Sequence, residues 1–140
     1  MRPDPLHLPV LVLSGEFGRV HYALVYASTS LALASQVTLM FAADAVHALT
    51  MRSGRPGWHR LRGPDGRSAE ATDAEWRARG IAGFEDLLAS CASLGARILA
   101  CEMALAASRL RHDELRGDLA ISVAGIATLI ADAGAAPIVF

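Results

Sequence analysis

The 140-residue sequence contains no lysine, and all 13 of its basic residues are arginine. Schiff-base catalysis and the phosphate-gripping lysine of a P-loop are thereby excluded. Cysteine is scarce as well: Cys91 and Cys101, with nine residues between them, form neither a C-x-x-C pair nor a zinc pattern. Charged residues make up only 19% of the chain and the formal net charge is −1, so no global attraction draws it to nucleic acid or to an anionic membrane. The longest apolar stretches, residues 37–51 and 119–136, are broken by Asp44, His47 and Asp132, and neither gives the roughly 20 apolar residues of a spanning helix. His7, His21, His47, His59 and His112 show no H-x-x-x-H or H-E-x-x-H spacing, so no metal site is expected. The opening Met1-Arg2-Pro3-Asp4-Pro5 carries a charge of each sign and two prolines, and no signal-peptide core follows it. A cytoplasmic location is the expectation.

What is present is 53% hydrophobic sequence, enough for a single domain to close around one core without disulfide or metal. Residues 8–14 form an apolar run, the mark of a strand covered on both faces, and Gly15 opens a turn after it. A helix over residues 17–34 follows from Val20, Leu24, Ala27, Leu31 and Ala34 at three- and four-residue intervals. The pattern then predicts a strand at 37–41, a short helix at 43–49, a helix at 81–94, a strand at 96–100, a helix at 102–110, a strand at 119–123, a helix at 125–133 and a strand at 138–140. Strands alternating with helices imply an α/β fold, a mainly parallel sheet of four or five strands with helices on both faces. Residues 50–80 break the pattern. They hold both tryptophans and seven of the 13 arginines among several glycines and prolines, and read as an excursion outside the core, either a solvated loop or a contact surface.

In an open parallel sheet the ligand site lies beyond the carboxyl ends of the strands. The candidates there are Ser14, Gly15, Glu16 and Phe17 after the first strand, Asp44 after the second, and Cys101 with Glu102 after the third. The Ser14-Gly15 turn offers N–H groups to an anion, although it lacks the glycines of a dinucleotide fingerprint, and an ordinary strand-to-helix turn is the favoured reading. His21 lies near the same edge and reads as a surface or capping residue rather than a base. Cys101 closes the run Arg97-Ile98-Leu99-Ala100-Cys101 just before a helix, where unpaired backbone N–H groups favour a thiolate. The competing reading is a packing cysteine, since free cysteine is among the most buried residue types. Cys91, on an apolar helical face, reads as core.

The C-terminal half, Gly95-Ala96-Arg97-Ile98-Leu99-Ala100-Cys101-Glu102-Met103-Ala104, then Glu114-Leu115-Arg116, Val123-Ala124-Gly125-Ile126-Ala127-Thr128-Leu129-Ile130 and Ile138-Val139-Phe140, resembles the DsrE/DsrF-like family of small sulfur-relay proteins, including TusD-type carriers. The opening strand, turn and first helix fit the same plan; residues 50–80 do not. The resemblance implies a flavodoxin-like three-layer fold and a homo-oligomer, often a trimer or a multiple of it. It also implies that Cys101 accepts sulfane sulfur as a persulfide and relays it between sulfur donor and acceptor proteins or small sulfane-sulfur compounds, with no cofactor. On this reading the arginine- and tryptophan-rich insert is expected to order over the cysteine edge or at a subunit contact, shielding the persulfide. The alternative is a non-catalytic binding or assembly module with a structural cysteine, in which the insert recognises an acidic partner.

Overall fold

The computed structural model describes residues 4–140; residues 1–3, part of the N-terminal segment read above, lie outside the described residues. The first apolar run forms β1 (His7–Val12), followed by α1 (Phe17–Ala32) and β2 (Gln36–Phe41). A 3-10 turn (Ala43–Leu49) leads into a hairpin of β3 (Met51–Arg52) and β4 (Arg55–Pro56), then further 3-10 turns and α2 (Ala69–Ala78). Then follow α3 (Phe84–Ser93), β5 (Arg97–Cys101), α4 (Glu102–Ala107), β6 (Ile121–Ala124), α5 (Ile126–Ala133) and β7 (Ile138–Val139).

The main sheet has five strands in the order β6-β5-β2-β1-β7, every neighbouring pair parallel. The chain steps from β1 to β2 to β5 in one direction, so right-handed crossovers put α1 and α3 on one face; the return from β6 to β7 puts α5 on the other. The result is the expected three-layer, flavodoxin-like α/β fold. β2 lies at the centre, and its residues 37–41 are all buried, as a strand covered on both faces must be. Val12 stands opposite Phe41, Phe41 opposite Ala100, and Ala100 opposite Val123, which brings the carboxyl ends level along one edge.

Residues 50–80 are not an excursion outside the core. Trp58, Leu61, Ala69, Thr72 and Asp73 are buried, and Trp58 stacks on Phe84 with ring centroids 4.8 Å apart. Phe17 packs against Trp58 at 5.7 Å and Trp76 at 5.3 Å, so both tryptophans of the insert close over the junction of α1 and α3. The glycines and prolines that punctuate the segment mark turns between short elements rather than a loop. One of those elements, α2, was not anticipated. Ser68 caps its start by accepting from the Ala71 N–H at 3.0 Å, and Gly80, at φ +81°, ends it in a Schellman turn with Ile81 N–H bonded to Trp76 O. That turn leaves Ile81 exposed and delays the next helix to Phe84, three residues later than the periodicity suggested. α4 also stops early, at Ala107, because Arg109 takes the left-handed conformation at φ +55° and Leu110 N–H turns back to Leu105 O.

Candidate functional site

The candidate residues converge on the carboxyl edge of the sheet, but they divide into two places. Cys101 is the last residue of β5 and the N-cap of α4. It is 6% exposed and opens onto a shallow recess walled by Met103, Ala106, Gly125 and Ile126, with the exposed Glu102 at its rim. No residue of 50–80 lines this recess, so the insert does not cover the cysteine as expected. Cys91, by contrast, is fully buried on α3, directs its thiol at Leu24 O at 3.7 Å, and has its pKa pushed up to about 11 by burial. Both thiols are free.

The turn after β1 lies on the other side of β2 from Cys101, two inter-strand spacings or about 10 Å away. Its N–H groups are largely taken: Glu16 N–H donates to Ser14 Oγ at 3.0 Å, and Phe17 N–H donates to Arg62 O at 2.8 Å. Arg62 N–H in turn donates to Gly15 O at 2.9 Å, so a short extended piece of the insert pairs with the turn. The N–H groups of Ser14, Glu16 and Phe17 are therefore engaged within the fold, which leaves the turn little free donor capacity for an anion. Phe17 is likewise corrected from a binding residue to a core one, since its ring is fully buried in the aromatic cluster. His21 is neither a surface residue nor a base in the site; it is buried, with Nε2 2.8 Å from Ala82 O and its ring edge-on to Trp76.

Sequence reasoning missed a second feature of this edge. Beside Gly15 and Asp44 lies a cleft of about 480 Å³, and its walls carry Arg52, Arg60, Arg62 and Arg109. It runs into an annex of about 240 Å³ walled in part by Met51, Pro56 and Leu110. Arg60, Arg62 and Arg109 make no ion pair among the described residues, whereas Arg52 stands 3.7 Å from Glu114. His47 is held below the ordinary imidazole pKa, first by burial and then by Arg60, and its Nδ1 has no hydrogen-bond partner. Gly15 sits close under this cleft: a Cβ on it would meet both an Arg62 guanidinium nitrogen and the Asp44 Cβ at 3.0 Å, a tight contact that either neighbour would have to relieve. The available signal was the run of arginines in residues 50–80; Arg109, some 50 residues on, joins them only through the fold.

Among the described residues no cluster of three or more His, Cys, Asp or Glu side chains is arranged to hold a metal, and no helix is long and apolar enough to cross a membrane. No family model matches the chain, and no curated protein matches it in sequence. Among solved structures the chain is similar to MTH1491, a protein of unknown function from Methanobacterium thermoautotrophicum, with a TM-score of 0.61 and 15% identity over 97% of this chain and 100% of that one. At that identity the likeness establishes the shared α/β fold.

Proposed function

We propose that the chain is a sulfur carrier of the DsrE/DsrF-like kind, in which Cys101 takes up sulfane sulfur as a persulfide and passes it on. The observation that carries this reading is the contrast between the two thiols: Cys101 opens onto a surface recess at the carboxyl edge, while Cys91 is sealed in the core. The Cys101 thiolate attacks the outer sulfur of a donor persulfide, forms the new S–S bond, and releases the donor as its thiolate. The walls at Met103, Ala106 and Ile126 are apolar, which suits a soft sulfur. A homo-oligomer, a trimer by the same resemblance, is part of the proposal. It is supported by the exposure of Met103 (76%), Ile126 (44%) and Ile130 (54%) around the recess and on α5.

Incubation of the native protein with a sulfane-sulfur donor is expected to add one sulfur to the intact mass, and Cys101→Ser is expected to abolish the addition. A thiol reagent should label Cys101 well before Cys91. Equal protection of both thiols in the folded protein, or sulfur uptake that survives Cys101→Ser, would rule the carrier reading out.

A further inference from the structure

The arginine cleft takes no part in the chemistry proposed for Cys101, and the two sites share no lining residue. Four guanidiniums face two carboxylates in its wall, and one of those, Glu114, is already engaged by Arg52 and by Arg111 at 3.5 Å. Asp44, the other, stands beside Arg62 over Gly15 and offsets only part of the charge. Arg60, Arg62 and Arg109 are exposed, and Arg109 comes from a stretch of chain remote from the other two. Convergence of like charges without partners costs energy in the empty protein, and an anion placed between them removes that cost. Arginine forks match the paired oxygens of a tetrahedral oxyanion. Arg109 reaches the cleft from a left-handed position, at the end of α4, where glycine is the usual occupant. Next to the charged part, Met51, Pro56 and Leu110 give the annex a less polar wall.

From this arrangement we infer that the cleft binds a small phosphate monoester or sulfate ester, with the oxyanion among Arg60, Arg62 and Arg109 and an apolar body in the annex beside Leu110. The size of the two connected spaces suits a small molecule, and their concave form favours one over an extended nucleic-acid backbone. Glu114, which lines both spaces, then acts against carriers of further negative charge beside the annex.

The test is titration of the whole protein with inorganic phosphate, inorganic sulfate, phenyl phosphate and phenyl sulfate at fixed ionic strength, followed by calorimetry. Phenyl phosphate and phenyl sulfate are expected to bind at least tenfold more tightly than the corresponding inorganic anions. Arg62→Gln and Arg109→Gln should each weaken binding about tenfold, the effect of losing one charge-assisted contact. Arg79→Gln, which alters an arginine paired with Glu75 away from the cleft, should leave it unchanged. Cys101→Ser should also bind normally, which separates this inference from the carrier reading. Absence of saturable binding by all four probes overturns the site, as does equal binding by wild type, Arg62→Gln and Arg109→Gln. Inorganic anions binding as tightly as their phenyl esters overturns the role of the annex. A single-stranded oligonucleotide that binds more tightly than any ester at the same salt overturns the small-molecule assignment.

Discussion

Asp73 shows how much one side chain can organise. It is buried on α2, accepts the Phe84 N–H at 2.8 Å through one oxygen and Arg77 Nε at 3.0 Å through the other, and so supplies the first N–H of α3 with a partner from another helix. Asp73→Ala leaves that buried N–H unpaired, at a cost of about 1–3 kcal/mol. Asp73→Asn keeps an acceptor and should recover most of the loss. Urea unfolding would register this as a lowered midpoint at unchanged slope for the alanine variant only. Arg116 plays a similar part. Its side chain is 3% exposed; Nη1 and Nη2 donate to Glu85 at 2.9 and 2.6 Å, while Nε and Nη2 donate to Asp118 at 2.8 and 2.7 Å. Glu85 also accepts Trp58 Nε1 at 2.8 Å, which ties the insert to α3. Hydrogen bonds from Arg116 hold both carboxyls below their ordinary values, 4.5 for Glu85 and 3.8 for Asp118. The stabilisation is therefore full above about pH 5 and is lost as pH falls through the depressed folded values. Both carboxylates are about half exposed, so solvent screening keeps each contribution below about 1 kcal/mol. Thermal melts of wild type and Arg116→Gln should differ most near neutral pH and converge as the pH falls through the depressed carboxyl values.

At the scale of elements, the sequence was legible wherever local pattern and tertiary role agree. The run ending at Val12 and the run ending at Phe41 are apolar because both faces of those strands are covered, and α1 shows its stripe because one face is covered and the other is not. α2 was hidden for a physical reason: its buried face is built from Ala69, Thr72, Asp73 and a half-buried Trp76, which gives almost no apolar period. Its contribution to the core comes from one large ring and one satisfied carboxylate rather than from a row of aliphatic side chains. The candidate edge was legible for Cys101, which strand alternation alone places at the carboxyl end of β5. It was not legible for the cleft, since Arg60 and Arg62 meet Arg109 only once the chain between them has formed three helices and a strand. Gly57 marks how closely the insert is seated: a Cβ there would come within 1.9 Å of His47 O and 2.0 Å of Thr50 Oγ1. Gly57→Ala is accordingly expected to dislodge the hairpin and expose Trp58, seen as a red shift of tryptophan emission in the folded protein.

At the scale of the whole molecule, the covering of the sheet is uneven. The face bearing α1 and α3 is sealed by long apolar stripes, whereas α5 has eight residues and buries only Leu129 fully. β6 ends the sheet with no fully buried residue, and its outer edge has no partner strand among the described residues. An unpaired strand that ends beside the recess of exposed Met103 and Ile126, with Ile130 exposed further along α5, is the kind of surface that proteins either blunt with charge or cover with another subunit, and no lysine or arginine lies between Ile121 and Phe140. The proposed homo-oligomer therefore places this region, next to the Cys101 recess, between subunits. Light scattering at high micromolar concentration should give a multi-subunit mass, and backbone amides of β6 should exchange more slowly as concentration rises. Ile126→Glu combined with Ile130→Glu, both at exposed positions, should leave the far-ultraviolet circular dichroism unchanged while reducing the mass to that of one chain. A wild-type protein that remains a monomer, with β6 exchange independent of concentration, would remove the oligomer from the proposal and leave the recess open to solvent.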